Sequence, residues 1–330
     1  MSRRLALASI VAISLIFTLV AAEIVLRSVG RAYQERYWRQ TTSAHVASRP
    51  VITVLVLGES TTLGLWVPFE QSYPKQLEAR LRAHYATNRI SVVVPPHLGQ
   101  NTSQMLHRFP HYLSAFHPQV VILMAGVNNS WSLAESNLSQ FLPAHQWRTH
   151  VFRWRNRLDD VKVLRLFRLL GFASGESLAK LSNDLAAPKY AEWPPKKSIL
   201  GPVDPSGKPF LDLWRHDVGD MIDMAQQSGA DVILMTYPNY DTPPREEFFA
   251  MARAKHIPLV DNYVAFRRLL APDVAARYVF SDYRHPTAEG YAIVADNALR
   301  AMLQTPAIAA HLATAAAGSN RDQNPIPRRP

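Results

Sequence analysis

Cysteine is missing from all 330 residues, and with it go disulfide bonds, thiolate metal sites and cysteine nucleophiles. That absence leaves the cellular compartment open. Also missing is any zinc-finger, basic-zipper or other nucleic-acid-binding pattern, so the net charge of +10 does not point to a nucleic-acid partner. Much of the positive excess lies in the first 40 residues, in residues 147–168 and in the last ten. His107, His111 and His117 have partly helical spacing, but Pro110 interrupts them and no carboxylate stands between them, so no metal site is expected. What is present is a globular composition, 48% apolar and 10% aromatic, long enough for one large domain or two modest ones.

Met1, Ser2, Arg3 and Arg4 form a short positive tail, residues 1–4. They precede residues 5–22, which are uncharged and interrupted only by Ser9, Ser14 and Thr18 among small or apolar side chains. Such a run is long enough to cross a bilayer. A cleaved signal peptide competes with an uncleaved anchor, because Val20, Ala21 and Ala22 place small residues near a plausible cleavage point. The run is long for a signal peptide and Ile24, Val25 and Leu26 continue it past Glu23, which favours a transmembrane signal-anchor over residues 5–26. Arg27, Arg31, Arg36 and Arg39 follow it, and counting positive flanks alone favours the reverse orientation. Ser2-Arg3-Arg4 also admits a weak twin-arginine export reading.

After a polar stem at 27–50, short apolar runs alternate with amphipathic stretches. Strands are expected at 51–57, 90–94, 119–125, 231–237 and 256–260. Helices are expected at 71–85, with Pro74 in the first turn, at 211–227, with Gly229 as a C-cap signal, and at 286–303. This alternation implies a five-stranded parallel sheet covered on both faces, in one domain spanning 51–303. Residues 131–205 fall outside the rhythm and are too long for a plain loop, so they are expected to form a cap-like insertion. Within it, residues 152–170 set six basic side chains among apolar ones and read as a basic amphipathic helix. A solvated face over a packed one, or contact with anionic lipid or an anionic glycan, are the readings. Residues 304–330 read as a disordered tail.

Parallel strands in such a sheet all end on one edge, so groups a few residues beyond different strands meet there. Gly58-Glu59-Ser60 follows the first strand, Gly99 the second, and Gly126-Val127-Asn128-Asn129 the third. Together they offer a hydroxyl nucleophile, an unhindered backbone N–H and an amide donor, which are the parts an acyl-transfer site needs. A serine requires a base and something to orient it, and Asp282 and His285 supply both three residues apart. Singly, each of these residues also reads as an ordinary turn or cap residue. The Gly-x-Ser-x-Gly elbow of α/β-hydrolases is not met, since Thr62 stands where its second glycine would be.

Gly58-Glu59-Ser60, Gly99, Gly126-x-Asn128-Asn129 and Asp282-x-x-His285 resemble, in order and spacing, the four blocks of the SGNH hydrolase family, also called GDSL esterases and lipases. The resemblance implies a three-layer α/β/α flavodoxin-like fold, with Ser60 as nucleophile, His285 as base and Asp282 orienting it, and no cofactor. The backbone amides of Ser60 and Gly99 with the Asn128 side chain would form the oxyanion hole. Glu59 stands where the family usually has aspartate, and Asn129 where an aspartate commonly follows the asparagine. The chain is similar to membrane-anchored bacterial members, which implies a single-pass inner-membrane protein with its catalytic domain in the periplasm. The expected activity is hydrolysis of acyl, including acetyl, esters. Transfer of an acyl group to a surface polysaccharide by the same triad, and a silent binding module of the same fold, are the alternatives.

Overall fold

The computed structural model describes residues 3–48, 52–95, 99–130, 132–133, 135–159, 161–164, 166, 206–239, 241–269, 275–280 and 285–323. Five strands form its centre: β1 Ile52–Gly58, β2 Ile90–Val93, β3 Val120–Met124, β4 Asp231–Met235 and β5 Leu259–Val260. All pair in parallel, in the order β2-β1-β3-β4-β5. Every residue of β1 and β3 is buried, because both faces of these strands are covered; hence their unbroken apolar sequences.

In chain order the helices are α1 Arg3–Ser48, α2 Ser60–Leu63, α3 Tyr73–Tyr85, α4 Thr102–Phe116, α5 Trp147–Asp159 and α6 Lys208–Gln227. There follow α7 Arg245–Lys255, α8 Asn262–Arg267, α9 Ala275–Tyr278, α10 Ala288–Gln304 and α11 Pro306–Gln323. The chain moves one way from β1 to β2 and the other way from β2 to β3, so right-handed crossovers put α3 and α4 on opposite faces. The contacts agree: α3 packs against α10, and α4 against α6. The result is the three-layer α/β/α arrangement expected from the alternation.

Three stretches differ from the sequence reading. The stem at 27–50 is no separate segment, because α1 continues through it to Ser48. The tail expected to lack structure is helical over Pro306–Gln323, with Ile308, Leu312 and Ala316 buried on one face of α11; the alanine-rich composition hid this spacing. The third difference is α4, a helix outside those expected, which runs through Pro110. Asn101 and Gln104 form a reciprocal capping box at its start, and Met105, Phe109, Tyr112 and Phe116 bury its inner face, so packing outweighs the one hydrogen bond that proline removes.

Within α1, Ser9–Gly30 is long and apolar enough to cross a membrane and none of it is buried in the protein, a pattern a signal sequence also satisfies. The insertion at 131–205 is described as far as residue 166 and again from residue 206. The basic helix expected at 152–170 starts earlier, as α5, and helix resumes at 162–164. Leu138, in a short 3-10 turn at Asn137–Gln140, joins Phe152 of α5 and Phe210 and Leu213 of α6 in a small second core.

Candidate active site

The site is built where β1 ends. A Cβ on Gly58 would lie 2.0 Å from Thr62 Oγ1 and 2.6 Å from the Met124 carbonyl oxygen, so only glycine lets β1 turn so close to β3. The chain winds at once into the single turn of α2, which Gly64 closes at φ +76°. Ser60 emerges half-buried at the start of that turn.

His285 reaches the same place from the far end of the chain. Phe280 N–H donates to its carbonyl oxygen, Val279 bridges to Pro286, and Thr287 N–H donates to the Tyr278 carbonyl. Gly290 makes this approach possible, since a Cβ there would sit 2.1 Å from the Tyr278 oxygen. Thr287 then caps α10 by accepting from Gly290 N–H. So held, the buried His285 places Nε2 2.9 Å from Ser60 Oγ. With a proton on Nδ1, Nε2 accepts the serine hydrogen. Asp282 lies outside the described residues, together with Ser281, Tyr283 and Arg284.

Strand order brings the remaining groups alongside. β1 lies between β2 and β3, so the turn carrying Ser60 is flanked by the turns carrying Gly99 and Asn128. Gly99 adopts φ +67°, a left-handed conformation natural to glycine. The Asn128 amide donates to the Gln100 carbonyl at 3.0 Å, which ties the second and third turns together. Gly126, at φ +127°, packs its Cα against the Trp214 indole, whose Nε1 donates to the Ala125 carbonyl at 2.8 Å.

Glu59 links the nucleophile turn to this framework. It is fully buried; Oε1 accepts from Gly126 N–H at 2.7 Å and Oε2 from the Tyr237 hydroxyl. Burial pushes its carboxyl up to about 7, against hydrogen bonds from Tyr237 and Gly126 that pull it down. Tyr73, whose hydroxyl lies 3.3 Å from Thr62 Oγ1, is raised by burial and further by the Glu59 charge.

Asn129 faces away from this chemistry into a polar network that sequence reasoning missed. Its Oδ1 accepts from Thr102 N–H at 2.9 Å, and its Nδ2 donates to Thr102 Oγ1 at 2.9 Å. Thr102 Oγ1 donates in turn to Asp217, a fully buried carboxylate on α6 that also accepts from Ser103 Oγ and Asn137 Nδ2. The one signal for it was an acid beside Val218 in the apolar stripe of α6. Asp241 accepts from Arg245 N–H at the start of α7, and Tyr237 is buried against Glu59. Among the described residues, no group of three or more His, Asp or Glu side chains gathers as a metal site.

A comparison with curated proteins finds no match. Among solved structures, a psychrotrophic esterase from Pseudoalteromonas sp. is similar at 13% identity and TM-score 0.41, covering 76% of this chain and 95% of its own. An acetylxylan esterase from Geobacillus stearothermophilus is similar at 17% identity and TM-score 0.47, over 76% and 94%. A lipase/acylhydrolase from Enterococcus faecalis is similar at 13% and 0.44, over 76% and 94%. The sequence profile of the GDSL-like lipase/acylhydrolase family runs over residues 56–293, from within β1 to within α10, and so spans every strand end just described; the chain belongs to this family of acyl-ester hydrolases.

Proposed function

We propose that the protein is a serine esterase working through an acyl-enzyme on Ser60. The observation that carries this reading is the 2.9 Å contact between Ser60 Oγ and His285 Nε2. As Oγ attacks the ester carbonyl carbon, its proton passes to Nε2 and the carbonyl oxygen becomes an oxyanion. The Ser60 and Gly99 backbone amides and the Asn128 side chain would receive that charge, each donor lowering the barrier by about 3 kcal/mol. Collapse breaks the bond to the alcohol oxygen, which takes the proton from His285. Water then attacks the acyl-enzyme, giving its proton to His285, and the acid leaves as Ser60 regains its hydrogen. Asp282, three residues before His285, is assigned to hold the imidazole by accepting from Nδ1.

The anchor reading belongs to the same proposal. Residues 5–26 would hold the chain in a bacterial inner membrane with the catalytic domain in the periplasm, where an acylated envelope component is within reach. Replacing Ser60 with alanine is expected to abolish hydrolysis of a simple chromogenic ester, and labelling by a fluorophosphonate, while the circular dichroism spectrum stays unchanged. Retained hydrolysis by a folded Ser60→Ala variant would sink the assignment.

A further inference from the structure

Helix α5 carries an apolar stripe whose two tryptophans are exposed and whose Val151 and Leu158 are half-buried. Trp147, Val151, Trp154 and Leu158 recur at helical spacing and fall within one narrow arc. Both tryptophans are 66% exposed, two of the largest exposed apolar side chains outside α1. The opposite side of α5 is the packed one: Thr149 is buried and Phe152 sits in the small second core. The helix is basic as well, with Arg148, Arg153, Arg155 and Arg157 in its sequence against one acid, Asp159.

Just beyond α5 the chain is tied to α1. Glu23 is the first charge after the uncharged run 5–22. Its carboxylate accepts from the backbone N–H groups of Lys162, at 3.1 Å, and Val163, at 2.9 Å, and from Arg27 Nε at 2.6 Å. A carboxylate near the end of an apolar span belongs toward the hydrocarbon boundary, where these donors offset its desolvation. The end of α5, three residues before Lys162, is therefore held near the same depth.

We propose that α5 is an interfacial membrane helix, its Trp147, Val151, Trp154 and Leu158 face resting on anionic phospholipid headgroups beside the anchor. Tryptophan favours that zone because its ring is apolar while its N–H can stay hydrated, and the arginines complement anionic lipid. Contact with the bilayer continues from α1 through Glu23 onto α5. The domain would thus be held against the membrane at two places, α1 and α5. This inference rests on the anchor reading given above.

The absence of cysteine makes the test direct. Single-cysteine forms of the full chain, His150→Cys beside the α5 face, Ile16→Cys in the apolar run and Glu246→Cys on α7, would carry an environment-sensitive fluorophore. Each is reconstituted in vesicles of phosphatidylethanolamine and phosphatidylglycerol containing lipids spin-labelled at shallow or deep positions. The label at residue 150 should be quenched by shallow spin labels at least about twofold more than the label at 246, and residue 16 by deep ones. Replacing Trp147 and Trp154 with serine, or using vesicles of phosphatidylcholine alone, should reduce the quenching at 150, with hydrolysis of a soluble ester unchanged. If residue 16 is quenched while 150 behaves like 246, the interfacial helix is overturned and the anchor stands. If residue 16 is not quenched, the anchor reading itself has failed. A label at 150 shielded from aqueous iodide but untouched by spin-labelled lipid overturns the proposal in favour of a protein partner or second copy.

Discussion

Tyr237, at the end of β4, donates its hydroxyl hydrogen to Glu59, the residue immediately before Ser60 at the end of β1. β3 lies between these strands, and the other Glu59 oxygen accepts from Gly126 N–H in the turn that follows β3. One carboxyl thus joins three strand ends behind the serine.

Glu59 makes stability depend on pH. Its folded-state pKa of about 7 lies above the ordinary range of a glutamate, so the folded state binds the proton more tightly than the unfolded one. The stabilisation is complete below pH 4.5 and is lost as pH rises to about 7, a swing of about 3 kcal/mol. Glu59→Gln should flatten this slope, seen as denaturation midpoints in detergent that no longer fall between pH 4.5 and 7.

Tyr237→Phe removes the donor to Glu59 and the oxygen that accepts from Val127 N–H at 3.3 Å. Leaving those groups unsatisfied in a buried site should cost about 1–3 kcal/mol. Without this hydrogen bond the Glu59 carboxyl is raised further, so the pH at which stability stops falling should move up. Hydrolysis should fall mainly in kcat, because the Ser60 turn loses a tie to its neighbours while the substrate-binding surface remains.

Asn129→Asp restores the residue usual in the family, yet it should destabilise this chain. The Asn129 amide donates to Thr102 Oγ1, whose own hydrogen goes to the buried Asp217. An aspartate has no N–H to give, and its charge would stand one hydroxyl away from another carboxylate. The expected loss is about 1–3 kcal/mol near neutral pH, by chemical denaturation.

Ser60→Ala and His285→Ala should each lower kcat by about four orders of magnitude or more, and the double variant should be no worse than either, because the two groups act as a unit. Steady-state hydrolysis of a chromogenic ester measures this. Additive losses would mean that the 2.9 Å contact is not the working pair.

The strands were legible in sequence because a parallel sheet buried on both faces demands continuous apolar runs, and β1 and β3 are buried throughout. Placement of Ser60, Gly99 and Asn128 on one edge followed from the same alternation. Helix α4 was not legible, since Pro110 reads locally as a breaker and only the packing of Phe109 and Tyr112 shows that the helix runs on. The helix in the last residues was hidden likewise, its buried face spread thinly among alanines.

Glu59 shows where reading by sequence stopped. As a letter it is a departure from the usual aspartate, and its partners, Gly126 and Tyr237, lie 67 and 178 residues away. Asp217 is similar, a single acid in an apolar stripe until α4 brings Thr102 and Ser103 to it. The sequence by itself determined which segments are strands and which residue types stand at their ends, because burial and backbone geometry act over a few residues. The tertiary structure alone decided which side chains share a proton or a hydrogen bond, because those partners are chosen by strand order and helix packing across the whole chain.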